Sequence, residues 1–125
     1  MLEGILKGKR GLIMGVANSK SIAWGIAESC SLAGAEIAFT YQSESLKKRL
    51  IPLAQQIGSK ILIECDVSNP GSIDSTFAEL EKEWGSIDFL VHAIGFSDKS
   101  ELRGKYLNTS QENFATTLSI STFSF

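Results

Sequence analysis

The sequence is poor in the residues that build rigid chemical centres. It holds two cysteines, Cys30 and Cys65, and one histidine, His92, in 125 residues. Two cysteines without metal-ligand spacing make no disulfide framework, so both are expected as reduced, buried thiols. A single histidine leaves a zinc site without ligands, and no metal is implied. An excess of one charge is missing as well. Twelve Lys and Arg stand against fourteen Asp and Glu, a net charge of -2, and no basic stripe is present to neutralise a phosphate backbone. Nucleic acid is therefore not an expected partner. The longest uncharged apolar stretches, such as Phe89 to Phe96, fall far short of the roughly 20 residues that span a bilayer. Met1-Leu2-Glu3-Gly4 shows neither the basic nor the apolar region of an export signal. The expectation is a cytoplasmic protein with no membrane partner.

What is present fits one domain over residues 1–125, with 43% hydrophobic content to fill a single core. Arg10 to Val16 is a short apolar run containing Gly15, as expected of a parallel strand buried on both faces. Ser21 then caps a helix with apolar positions at Ile22, Ile26, Cys30 and Ala33, closed by Gly34. Ala35 to Tyr41 is a second strand. Ser43 opens a second helix running through Leu46, Leu50, Leu53 and Ile57 to Gly58, which Pro52 is expected to kink or divide. Lys60 to Cys65 is a third strand, and Asn69 with Pro70 starts a third helix carrying Ile73, Phe77, Leu80 and Trp84. Ile87 to Ile94 is a fourth strand, closed by Gly95.

Strand and helix alternate throughout, which predicts parallel βαβ units with right-handed crossovers. The expected fold class is α/β, a Rossmann-type doubly wound sheet with strand order 3-2-1-4. Ser110 caps a last helix with Phe114, Leu118, Ile120, Phe123 and Phe125, and the sequence stops within it, without a cap. A sheet ending on its fourth strand also leaves an apolar edge open. The expectation is part of a larger domain, truncated after that strand and part of the next helix.

The chemistry concentrates after the first strand, where Gly15-Val16-Ala17-Asn18-Ser19-Lys20-Ser21-Ile22-Ala23-Trp24-Gly25 leads into a helix amino terminus. Free N–H groups and the positive helix end there favour a pyrophosphate. Gly15 permits close backbone approach, Gly25 close packing of helix on strand, and Ser21 adds a hydroxyl donor. An ordinary small-residue turn is the alternative. The spacing is neither G-x-G-x-x-G nor a phosphate-binding P-loop; it is Gly-x5-Ser-Ile-Ala-x-Gly. His92, Trp24 and Trp84 are expected to be packed structural residues.

With Phe39-Thr40-Tyr41-Gln42, Cys65-Asp66-Val67 and His92-Ala93-Ile94-Gly95-Phe96, this pattern resembles the divergent short-chain dehydrogenases that act as NADH-dependent enoyl-acyl carrier protein reductases. The resemblance covers essentially the whole chain in order. It implies that Gly15, Ser21 and Ile22 hold the pyrophosphate side of NADH and that Gln42 lies beside the adenosine ribose, in place of the usual acid. Gln42 as a solvated strand end is the alternative. Asp66 and Val67 are implied at the adenine, although Asp66 also suits a turn cap, and both roles are compatible. Ile94 and Gly95 are implied at the nicotinamide-side ribose. Phe96 and Ser97 begin an acyl-substrate wall, where the family often has alanine in place of Ser97. Glu44 opposes a 2′-phosphate while Lys47, Lys48 and Arg49 attract one, with NADH the preferred cofactor.

In the family, hydride passes from NADH to the β-carbon of a 2-enoyl thioester on acyl carrier protein, and a tyrosine with a nearby lysine stabilises the enolate. The implied Tyr-x6-Lys pair falls beyond residue 125. Tyr41 and Lys48 satisfy the count, but Tyr41 ends the second strand, on the adenine side, so no catalytic residue is assigned within the chain. The resemblance also implies a homotetramer. Two alternatives remain: another short-chain dehydrogenase such as a 3-oxoacyl reductase, which commonly shows Thr-Gly-x3-Gly-x-Gly and Asn-Asn-Ala-Gly, or a non-catalytic nucleotide-binding module.

Overall fold

The apolar run after Lys9 forms β1 (Arg10–Met14), whose last four residues are buried, as a strand covered on both faces requires. The computed structural model describes residues 4–125, so Met1, Leu2 and Glu3, on which the reading of a missing export signal rests in part, lie outside the described residues. The chain divides into two compact units, one ending at Ala93 and one comprising Ile94–Phe125.

In the first unit β1 is followed by α1 (Ile22–Leu32), β2 (Glu36–Tyr41), α2 (Glu44–Gln56), β3 (Ile61–Glu64), α3 (Pro70–Trp84) and β4 (Phe89–His92). The four strands are parallel in the order β3-β2-β1-β4, the doubly wound arrangement that the alternation predicts. Leu12, Ile13 and Phe39 are wholly buried, each contributing roughly 1.5–3 kcal/mol by leaving water. Trp24 packs on Phe39 with ring centroids 6.3 Å apart, a core role as expected. Trp84 is half-buried beneath the Arg10 guanidinium at 5.7 Å. Arg10 also fixes the entry of β4, because its N–H donates to the Asp88 carboxylate at 2.8 Å and its carbonyl accepts the Asp88 N–H at 2.7 Å.

Several local expectations are corrected. The buried face of α1 is Ala23, Trp24 and Ala27, while Ile22 is 81% exposed. A short helix on a flat sheet buries about one residue in three or four, and Ile22 falls outside that arc. Gly34, at φ +102°, closes α1 as expected: its N–H donates to Ser31 and the Ala35 N–H to Cys30, the paired bonds of a Schellman end. Pro52 does not divide α2, which is continuous from Glu44 to Gln56. It sits in the last turn and a half, where the one bond it removes is followed by a single further turn. Phe77 on α3 is 39% exposed, and the buried positions there are Thr76 and Leu80. β4 pairs with β1 over four residues, each of them half-buried. Cys65 is buried but Cys30 is half-buried, and both are free.

The second unit contains short 3-10 turns at Lys99–Glu101 and Tyr106–Asn108, then α4 (Gln111–Leu118), which continues as a π-helical stretch over Ser119–Phe123. Ser110 caps α4 as predicted, accepting the Asn113 N–H at 3.1 Å. No helix among the described residues is long and apolar enough to cross a membrane.

Candidate functional site

The parallel register places the ends of the strands side by side. Met14 is paired with Thr40 and with His92, and Tyr41 with Glu64, so Gly15, Gln42 and Asp66 follow three adjacent strands spaced about 4.8 Å apart. The sheet changes winding direction between β1 and β4, the position where open α/β sheets form their ligand crevice.

Gly15 turns the chain out of β1 at φ +107°, and a Cβ there would fall 2.1 Å from the Ala93 carbonyl oxygen. No other residue fits that approach. Ser21 behaves differently from a simple cap. Its hydroxyl oxygen does not cap α1; it accepts the N–H groups of Ala17 at 2.9 Å and Asn18 at 3.0 Å. Asn18 adds its own turn, its side-chain oxygen accepting the Lys20 N–H at 2.8 Å. The loop is thus tied back on itself, and Ile22 and Ala23 keep N–H groups that no described residue accepts. Two such donors at a helix start, with the helix dipole behind them, suit an anion. Gly25 does not serve helix packing as expected: it is exposed and a Cβ on it would meet nothing within 4 Å.

Gln42 is exposed at the end of β2. Beside it Tyr41 is buried, with the Lys47 ammonium 5.4 Å from its ring centroid. Asp66 does act in the following turn, accepting the Ser68 N–H at 3.0 Å and its hydroxyl at 2.6 Å through Oδ1. Its own N–H donates to the Ser72 hydroxyl at 2.9 Å. Asp66 and Val67 are both half-buried. His92 is half-buried within β4, in register with Met14. Among the described residues no group of His, Cys, Asp or Glu is placed to hold a metal ion.

In the second unit Ile94 is half-buried, while Gly95 has ordinary room around it, with Ser121 Oγ 3.8 Å from a Cβ built there. Phe96 is 50% exposed. Ser97 is half-buried, with its hydroxyl 3.1 Å from Asn113 Nδ2 and 3.2 Å from Thr117 Oγ1. A cavity of about 180 Å³ lies against Phe96, Asp98, Glu101 and Asn113. Two of its carboxylates have structural partners: Glu101 accepts the Ser110 N–H and hydroxyl, and Asp98 those of Ser100. Sequence reasoning missed Asn113 and Ser121.

Comparison with known proteins gives a consistent family. A family model described as enoyl-(acyl carrier protein) reductase matches residues 15–125. The chain is 58% identical over 123 residues to enoyl-[acyl-carrier-protein] reductase [NADH] 1 of Rhizobium meliloti, covering 98% of this chain and 45% of that protein. The crystal structure of FabI from Candidatus Liberibacter asiaticus superposes with a TM-score of 0.97 at 56% identity, over 98% of this chain and 48% of that one. The enoyl-(acyl-carrier-protein) reductase of Anaplasma phagocytophilum, solved in complex with NAD, gives 0.95 at 52% identity, over 98% and 47%. The chain spans about half the length of the relatives it matches.

Proposed function

Because this chain belongs to the enoyl-(acyl carrier protein) reductase family, we propose that it is the cofactor-binding half of an NADH-dependent reductase of enoyl-acyl carrier protein, a cytoplasmic enzyme of fatty acid biosynthesis. The observation that carries the reading is the pair of free N–H groups on Ile22 and Ala23, next to the Gly15 turn that only glycine can make. Those donors suit a pyrophosphate, and the Gly15 turn lets the backbone come close to one.

The residues divide the binding among them. Gly15 and Ile22 hold the pyrophosphate through backbone, and Ser21 keeps the loop in the shape that frees those donors. Gln42 is exposed where an adenosine ribose would lie. Asp66, with Oδ1 engaged by Ser68, orients Val67 and its own backbone toward the adenine. Ile94 and Gly95, next in the chain after Ala93, serve the nicotinamide-side ribose. Phe96 and Ser97 form part of the acyl wall; Ser97 does so through its backbone, because its hydroxyl is already bonded. Glu44 in the first turn of α2 and the engagement of Lys47 with Tyr41 support NADH over NADPH. When bound, the dihydronicotinamide supplies the hydride for the C2–C3 double bond of the enoyl thioester.

Tyr41 and Lys48 are not the catalytic pair. Tyr41 is buried at the end of β2 and Lys48 is exposed on α2, whereas the reaction needs its acid at the nicotinamide. Residues 1–125 alone are therefore proposed to bind NADH without turnover, and the full-length enzyme to be a homotetramer. Phe114 and Leu118 on α4 remain 51% and 45% exposed, which supports their use between subunits. The test is calorimetric titration of the chain with NADH and NADPH, followed by crotonyl thioester. Tighter binding of NADH with no oxidation is expected. A folded chain that binds neither cofactor, or one that oxidises NADH at the rate of full-length relatives, would refute the reading.

A further inference from the structure

The segment Phe96–Asp98 is held by side chains at both ends. Ser121 Oγ accepts the Phe96 N–H at 2.9 Å and donates to the Phe96 carbonyl at 3.2 Å. Two residues on, Asn113 Oδ1 accepts the Asp98 N–H at 2.8 Å while its Nδ2 donates to Ser97 Oγ at 3.1 Å. The Thr117 hydroxyl closes the ring, 3.2 Å from Ser97 Oγ and 3.4 Å from Asn113 Oδ1. Asn113 is only 7% exposed. A buried amide repays its desolvation only through the bonds it makes inside. What the amide adds is geometry: two fixed contacts on consecutive residues. Ser121 has the same character. It lies on the π-helical stretch Ser119–Phe123, where the extra residue per turn changes the direction of its side chain, a local distortion common at functional sites.

We propose that Asn113 and Ser121 are positioning residues for the acyl substrate, holding Phe96–Asp98 as a fixed wall and so setting the KM for the enoyl thioester. The proposal rests on the assignment of Phe96 and Ser97 to the acyl wall. It predicts a selective effect. A loosened wall weakens thioester binding and leaves the NADH contacts of the Gly15–Ile22 loop as they were.

The experiment measures steady-state kinetics of the whole protein encoded by the gene, with crotonyl and dodecenoyl thioesters, for Asn113→Ala, Ser121→Ala and Ser121→Thr. Each alanine variant is expected to raise the thioester KM about tenfold, the scale of one lost charge-free hydrogen-bond pair, with the NADH KM unchanged. Ser121→Thr, which keeps the hydroxyl, is expected to restore the original value. Amide exchange should accelerate at Asp98 in Asn113→Ala and at Phe96 in Ser121→Ala. Ser121 is half-buried, so its alanine variant decides the matter if Asn113→Ala does not fold. Equal rises in both KM values, a fall in kcat alone, or no change in an active enzyme would overturn this proposal and leave the functional reading standing. An unsubstituted enzyme that reduces no enoyl thioester would overturn the functional reading and this proposal with it.

Discussion

The carbonyl oxygen of Ala93 occupies the space that a side chain on Gly15 would need, 2.1 Å from the position of a Cβ. The two residues are brought together by strand pairing, because the Ala93 N–H donates to the Met14 carbonyl at 3.1 Å. Gly15 also holds φ +107°, where an L side chain is strained. Gly15→Ala is therefore expected to cost about 2–4 kcal/mol, combining backbone strain with forced displacement of β4. Urea unfolding measures it. A loss below about 0.5 kcal/mol, the level of an ordinary surface change, would contradict the close approach.

Gly25 should respond in the opposite sense. It lies inside α1, exposed, with nothing within 4 Å of the place a Cβ would take. Gly25→Ala removes freedom from the unfolded chain without a clash and should stabilise by about 0.4–1 kcal/mol. The same unfolding experiment checks it, and destabilisation would restore the packing role that the sequence suggested.

Ser21→Ala removes the acceptor shared by the N–H groups of Ala17 and Asn18. The loss should be about 1–2 kcal/mol, softened by the exposure of Asn18 to water. NADH affinity should fall further than stability does, because a relaxed loop no longer presents the Ile22 and Ala23 donors together. Parallel calorimetry and unfolding of Ser21→Ala and Ser21→Thr separate the two effects, and the threonine variant, retaining the hydroxyl, should stay near the original.

The strand order and the turn at Gly15 after β1 were legible because both follow from short-range patterns. Apolar runs ending near glycine mark buried parallel strands, and a small-residue loop before a helix marks free donors. Finer assignments failed where two local rules compete. Ser21 does stand at the N-cap position of α1, as its residue type predicts, but its hydroxyl accepts the loop N–H groups of Ala17 and Asn18 instead of those of the first turn. Ile22 matches the apolar period but sits at the first position of α1, beyond the arc that faces the sheet. Pro52 does not divide α2, because little more than one turn of helix follows the bond it removes. Asn113 and Ser121 were invisible because their partners, the backbone of Asp98 and Phe96, lie 15 and 25 residues away. No local spacing encodes such a contact.

Cys30 provides a reactivity test. It is half-buried, and desolvation pushes its thiol above the ordinary range. Below the unfolded thiol pKa, about 8.5, both states are protonated and the group is neutral to stability. As pH rises through that value the unfolded chain ionises first, so stability falls. Alkylation by iodoacetamide near neutral pH should be slower at Cys30 than in the unfolded chain, and its rate should climb only at a pH above that of a free thiol. Equal rates in folded and unfolded protein would show that the desolvation is not felt.

Asp98 titrates in the other direction. The Ser100 hydroxyl donates to its Oδ1 at 2.7 Å and the Ser100 N–H at 2.9 Å, and these bonds hold its carboxyl below the ordinary carboxylate range. A depressed folded pKa contributes stability that is present above the unfolded value, about 3.9, and is lost as pH falls through the folded value. Its carboxylate caps the turn Lys99–Glu101, and its N–H is the one bonded to Asn113. Protonation should therefore loosen the start of that turn while Asn113 keeps its own hold on the backbone. Carbon-detected NMR titration of the Asp98 carboxyl is expected to give a pKa below that of a free aspartate, and Ser100→Ala, which removes the hydroxyl but leaves the N–H, should move it part of the way back. Full recovery of the ordinary value in that variant would assign the whole effect to the hydroxyl, and no movement at all would assign it to the backbone N–H.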